Sequence, residues 1–419
     1  MSVDTAATVA PGAAWSLGEP PNDYVLGNVR AVLPDRVLDD ARVVVRDGLI
    51  AAVDTGRGRF DVDGAGAFCL PGLVDVHSDG LEKERMPRPG AELPWLFGVM
   101  SFEGKLRAAG ITTVFHGASF SDREAVATGR SVGAARELCG AVAEWSRPTT
   151  CENGNNTNVC MVDHRILHRL DVRSRAGLDA LREHLAAAVG AGDVTPETPA
   201  AVSHEDHTPG IGQYADRTYY ERHVAGLHGL TADQAREHVD TIVRTREANL
   251  AVRDDAMGWL ADRAVHGLAR VFGHDPESSA EIADLAARGG HVAEFPTTLD
   301  AARAARARDM SVVMGAPNVL RGGSHSGNVS AAELAAEGLV TALASDYLPS
   351  SLLGAVFTLA ARGAVPLPRA AALVTSGAAA AVGLTDRGTL AEGLRADLTL
   401  VTYEREMPVV RAVLRDGSR

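Results

Sequence analysis

The chain has 419 residues and carries 41 Lys+Arg against 54 Asp+Glu, a formal net charge of −13. That balance excludes a general nucleic-acid or anionic-membrane binder, which needs a basic face. Hydrophobic residues at 46% and charged residues at 23% exclude a mostly disordered chain, and 5% aromatics call for an aliphatic core.

Residues 1–22 have no basic n-region and no continuous apolar segment. They read as a disordered leader, not a secretory signal. No stretch approaches the roughly 20 uninterrupted apolar residues of a membrane span, so the expected location is the cytoplasm. From Asp23 to Phe68, runs such as YVLGNVRAVL and ARVVVRDGLIAAV alternate apolar and polar, with Asp47-Gly48 as a hairpin signal. Residues 385–419 repeat this style in ADLTLVTY and VVRAVLRDGS. Segments 23–68 and 385–419 are therefore expected to form one small β-sandwich domain. Cys69, Cys139, Cys151 and Cys160 show no CxxC spacing, so neither a disulfide framework nor a structural zinc site is expected.

Residues 69–384 alternate short apolar runs with helical patterns. Eight strand candidates follow in order: GLVDVH, ITTVFH, RILHRLD, AVSHEDH, RVFGH, HVAEF, SVVMGA and TALASD. Eight such alternations predict an α/β fold, a (β/α)8 TIM barrel. The charged stretch 208–263 reads as a helical excursion over the barrel mouth. Exposed barrel faces lead to the expectation of a homodimer.

The apolar runs end in His77 and Asp79, Asp171, His207, His274 and Asp346. Active sites of such barrels lie at the C-terminal ends of the strands, and six metal-ligand types there are hard to explain as packing. His77 and Asp79 share one strand face and can grip one metal. His207 and His274 can serve a second, with Asp171 as a carboxylate bridge. Asp346 is the expected catalytic residue, holding a water and taking its proton. Two divalent ions form the expected cofactor. The carboxylates lean toward Mn²⁺ or Mg²⁺, and the imidazoles keep Zn²⁺ open.

The segments LPGLVDVHSDGLEKERMPRPGAELPW (70–95) and EFPTTLDAARAARARDMSVVMGAPNVLRGGSHSGNVSAAELAAEGLVTALASDYLPSSLL (294–353) carry a resemblance to known proteins. With DHTPG (206–210) and the closing DRGTLAEGLRADLTL, they resemble the amidohydrolase superfamily of metal-dependent hydrolases. More narrowly, they resemble the diphosphatases of the carbon–phosphorus lyase pathway. That family hydrolyses α-D-ribose 1-methylphosphonate 5-triphosphate to the 5-phosphate and pyrophosphate. The resemblance implies metal ligands at His77, Asp79, His207, His274 and Asp346, and a bridging carboxylate at or near Asp171. The chain departs from the family pattern at Gly80 (usually Asn), His116 (commonly Asp), Asp171 (usually Glu) and Pro276 (usually Asp). Each departure is expected at the active site.

The loop Arg321-Gly-Gly-Ser324-His325-Ser326-Gly-Asn328 offers hydroxyls, an imidazole and a guanidinium beside flexible glycines. Such loops cradle phosphate oxygens, and Lys83, Arg85 and Arg88 are expected to line the same mouth. No G-x-S-x-G elbow supports a serine nucleophile. The leading expectation is diphosphate hydrolysis of a small phosphorylated substrate. The alternative is C–N hydrolysis of a cyclic amide, amidine or amino-heterocycle, and a non-catalytic relative stands third.

Overall fold

The computed structural model describes residues 20–56, 58–122, 130–147, 149–150, 156–157, 160–324 and 327–415. The leader through residue 19, His325 and Ser326 lie outside them.

The eight barrel strands are Leu73–Ser78, Ile111–Phe120, Asp163–Asp171, Ala200–Glu205, Ala269–His274, Val292–Glu294, Ser311–Gly315 and Ala342–Ala344. They pair in parallel, each with the next. A parallel bridge between Ser78 and Asp346 brings the last strand back to the first. The backbone N–H and hydroxyl of Ser345 also donate to the buried Asp75 carboxylate at 2.9 and 2.5 Å. All eight strand candidates fall on barrel strands.

Alternation sorts the side chains into two layers. Phe115, Leu167, Ala201, Phe272, Val292 and Val313 fill the barrel interior. Val114, Ala118, Phe120, Leu170 and Val202 instead join a larger cluster with the surrounding helices. With a side-chain period of two, a polar residue's parity decides whether it meets the site or the helices.

Both chain ends meet in one seven-stranded sheet. Phe68–Pro71 pairs with Tyr24–Val32 on one side and with Leu398–Glu404 on the other. This β-domain has its own core, including Leu26, Val43, Cys69 and Leu398. Asp47 and Gly48 link Val37–Arg46 to Leu49–Asp54, with φ of 51° and 71°. Two positive φ values in a two-residue loop match the right-handed twist of the flanking strands.

Between the fourth and fifth barrel strands, helices Arg217–His228 and Ala232–Glu247 share a separate small cluster built on Tyr220, Val224 and Val239. Asp216 caps the first, and Thr231 with Gln234 forms a capping box on the second. The next helix, Leu250–Val265, packs Ala256, Met257 and Leu260 into the main core. The stretch 208–263 thus carries three helices, of which the first two share their own small cluster and the third packs on the barrel.

Candidate active site at the C-terminal mouth of the barrel

A cavity of about 360 Å³ opens at the strand ends. His77, Asp79 and Asp346 line one part, with a donor atom from each within 4.8 Å of the others. His207, His274 and Asp275 form a second such group in the same cavity. His207 Nε2 and His274 Nε2 lie 3.7 and 3.5 Å from Asp275 Oδ2.

Glu294, at the end of the sixth strand and fully buried, ties the two groups together. Its Oε1 accepts from His77 Nδ1 at 2.8 Å, and its Oε2 accepts from His274 Nδ1 at 2.7 Å. Ser203 Oγ donates to the same Oε2 at 2.6 Å. With both Nδ1 atoms engaged by Glu294, Nε2 is the atom of His77 and of His274 that an ion could take, displacing any proton it carries. A carboxylate behind an imidazole is the usual way to fix the tautomer of a metal ligand. Sequence reasoning missed Glu294, although the strand run HVAEF carries this carboxylate next to its end.

Two guanidinium groups neutralise the opposite wall. Arg169 Nη1 donates to both Asp79 oxygens at 2.7 and 2.8 Å, and its Nε donates to Glu205. Arg130 donates to Asp79 at 2.6 Å and to Glu82 at 2.7 Å. Gly117 makes room for this arrangement. A Cβ there would lie 2.6 Å from Asp79 Oδ1 and 2.8 Å from Arg169 Cδ.

Asp275, Phe295 and Asp346 all line the cavity with left-handed φ of 53°, 53° and 57°. Such backbone is uncommon outside glycine, most of all for a bulky residue, and clusters at functional sites.

Several expectations meet a different geometry. Asp171 belongs to neither donor group. Arg246 donates to its two oxygens at 3.0 and 2.9 Å, Ser121 adds a bond at 3.0 Å, and the Arg173 N–H adds another at 3.0 Å. The carboxylate is thus occupied by protein donors. Glu205 lies closer to the imidazoles, 3.8 Å from His207 and 4.0 Å from His274.

Nor does the second strand end at His116. It runs on to Phe120, and His116 lies on the outward face, where its Nε2 meets His164 Nδ1 at 2.8 Å. Gly80 also faces the helices, because a Cβ there would lie 2.3 Å from the Phe102 ring. The Pro276 carbonyl accepts from Thr297 N–H at 3.0 Å, linking the loops after the fifth and sixth strands.

Of the expected substrate-binding residues, Arg321, Ser324 and Asn328 line the cavity, joined by Asn318. Three basic residues after the first strand do not. Lys83 lies over the Tyr347 ring at 4.5 Å, and Arg85 pairs with Glu92 and stacks on Trp95. Arg88 is exposed.

Burial raises Asp275 to about 6. Burial and the neighbouring Asp79 raise Asp346. For Asp79 burial works in the same direction, but Arg130 and Arg169 outweigh it and hold the carboxyl well below its usual range. Burial lowers His207 to about 3. On His274 the carboxylates of Asp275, Glu205 and Glu294 overcome burial and raise it to about 9.

The donor set fits divalent ions. Asp79, Glu205, Asp275, Glu294 and Asp346 converge, Arg130 and Arg169 pair with Asp79 and Glu205 among them, and Asp275 Oδ2 is buried without a hydrogen-bond partner. Uncompensated carboxylates are costly out of water unless paired or bound to metal.

The amidohydrolase family pattern matches residues 105–417. The chain belongs to the amidohydrolase family. It is 34% identical over 400 residues to the alpha-D-ribose 1-methylphosphonate 5-triphosphate diphosphatase of Escherichia coli (strain K12), covering 94% of this chain and 99% of that protein. Among solved structures, a putative prolidase from Bifidobacterium longum superposes with a TM-score of 0.59 at 15% identity, over 94% of each chain. An N-acetyl-D-glucosamine-6-phosphate deacetylase from Mycobacterium smegmatis gives 0.55 at 15% identity, over 94% of this chain and 99% of that one. These likenesses show a shared fold. This amidohydrolase is a hydrolytic enzyme of a family that uses divalent metals. No helix among its described residues is long and apolar enough to cross a membrane.

Proposed function

We propose that this amidohydrolase is a divalent-metal-dependent diphosphatase that cleaves a ribosyl triphosphate of the α-D-ribose 1-methylphosphonate 5-triphosphate type. The products are the 5-monophosphate and pyrophosphate. One observation carries the reading. After the seventh barrel strand, Asn318 and Arg321 of the short helix Ala316–Arg321 and Ser324 and Asn328 of the loop that follows line the cavity that holds both donor groups. Name and length of match of the E. coli diphosphatase support it.

His77, Asp79 and Asp346 would hold one divalent ion and His207, His274 and Asp275 the other, supplying Lewis-acid activation and charge neutralisation at phosphorus. Arg321 presents a planar fork suited to two phosphate oxygens, and Asn318, Ser324 and Asn328 add neutral polar contacts. Together they orient the triphosphate tail with one P–O–P bridge toward the donor groups. Water attacks phosphorus, the bridge bond breaks, and pyrophosphate leaves. Asp346, buried and raised, is placed to accept the proton of the attacking water. Arg169 and Arg130 keep Asp79 ionised while this occurs.

The test is a substrate comparison with metal-reconstituted protein. Pyrophosphate from ribosyl or nucleoside triphosphates is expected, with no ammonia or ring opening from cyclic amides and amino-heterocycles. The reverse pattern would replace this reading with C–N hydrolysis.

A further inference from the structure

Away from the cavity, three elements bring soft donors together on the outer face of the barrel. His168 lies on the outward face of the third strand, Cys139 on helix Val132–Trp145, and His184 on helix Arg175–Ala191. One donor atom from each lies within 4.8 Å of the other two. His168 and Cys139 are buried and His184 is half-buried. The rings of His168 and His184 are 5.2 Å apart, and Phe120 packs 6.0 Å from each.

The hydrogen bonding of His168 is an independent indication. Its Nδ1 lies 2.9 Å from the Ala201 carbonyl oxygen. A carbonyl can only accept, so Nδ1 carries the proton and the lone pair is on Nε2. An imidazole whose other nitrogen donates to a backbone carbonyl has the arrangement found behind metal-ligating histidines. A second outer group, Glu103, Cys160 and His164, differs in this respect. There one carboxylate oxygen already accepts from Trp145, Met161 and His164.

We propose that Cys139, His168 and His184 form a structural site for a soft divalent cation of the Zn²⁺ class, separate from the barrel mouth. One thiolate and two neutral imidazoles suit such an ion. Burial lowers His168 to about 4 and lowers His184 as well, so both rings are neutral near pH 7. Burial raises the Cys139 thiol to about 12, so the ion displaces its proton to solvent as the metal–sulfur bond forms. The half-buried His184 leaves the fourth position within reach of a solvent molecule. The ion would clip two helices to the strand whose inward side carries Arg169. No sequence spacing announces the site, because its ligands come from three separate elements.

The test uses the full chain, stripped by chelation and titrated with Co²⁺. No cysteine belongs to either donor group in the cavity, so a thiolate-to-cobalt charge-transfer band excludes the cavity, and Cys160→Ser separates the Cys139 site from the second outer group. The band is expected to reach the intensity of one cobalt-bound thiolate per chain, to vanish in Cys139→Ser and to persist in Cys160→Ser. His184→Gln, on the half-buried helix face, should remove or shift it should Cys139→Ser fail to fold. Absence of the band from the unmodified protein, or its persistence unchanged in Cys139→Ser or His184→Gln, would overturn the proposal. Either result leaves the pyrophosphate assay of the cavity unaffected.

Discussion

Arg246 closes a two-pronged ion pair on Asp171, with Nη1 and Nη2 at 3.0 and 2.9 Å from its two oxygens. The pair fastens helix Ala232–Glu247 to the end of the third barrel strand. Arg246 also donates to Asp206 and Thr208, and Arg173 donates to Asp206 and to the Arg246 carbonyl. This network anchors the segment that leads to His207, Gln213 and Tyr214 in the cavity.

Arg246→Met leaves the Asp171 carboxylate buried without its partner. Removal of one member of a buried pair costs about 3–5 kcal/mol. Denaturant unfolding should show a loss of that order, with KM raised through displacement of the 206–214 segment. By elemental analysis only the ion that His207 would help hold should be weakened, with the one at His77, Asp79 and Asp346 retained. Loss of both ions in step with Asp171 substitution would instead restore the bridging role.

Glu294 orients both His77 and His274 from behind, so its removal should weaken both donor groups at once. Glu294→Ala should lower metal affinity roughly 10- to 100-fold, the usual effect of losing such a partner. Competition against a metal-binding dye reads this directly. An unchanged affinity would show that the two imidazoles hold their orientation without it.

Arg321→Ala tests the phosphate wall. A charge-assisted contact contributes about 1.5–3 kcal/mol, so affinity for a phosphorylated substrate should fall by one to two orders of magnitude. Metal content should stay constant, because Arg321 belongs to neither donor group. Equal substrate affinity in the variant would remove this loop from binding.

Acid stability has a defined contribution at the other end of the barrel. Arg387 Nη1 donates to Asp163 at 2.7 Å and to Thr113 at 2.8 Å. Burial opposes ionisation of Asp163, but Arg165, Arg387 and Arg415 outweigh it and lower the carboxyl from 3.8 to about 2. The folded value lies below the unfolded one, so the stabilisation is complete above about pH 4 and is lost as pH falls toward 2. The shift corresponds to about 2 kcal/mol. Urea midpoints of the wild type should fall more steeply than those of Asp163→Asn across that window. Parallel curves would contradict the assignment.

The sequence disclosed the barrel through repeated alternation of apolar runs and helical patterns, and the β-domain through the matching style of its two ends. His77, Asp79, His207, His274 and Asp346 were visible as ligand types ending apolar runs. Strand parity was harder to see. His116 ends the run ITTVFH but faces Phe102 and His164, because the strand continues through Gly117 to Phe120. Arg169 looks like an interruption within RILHRLD until its inward position between Asp79 and Glu205 is known. Asp171 has the expected position on its strand, but Arg246 comes from 75 residues away. No local pattern announces a partner at that separation.

The most direct measurement follows ribosyl 5-triphosphate by ³¹P NMR with metal-stripped protein, before and after divalent metal is restored. The account predicts monophosphate and pyrophosphate in equal amounts, formed only with metal present and lost in Asp346→Asn. Stepwise release of inorganic phosphate, or no phosphorus product from the metal-loaded protein, would contradict it.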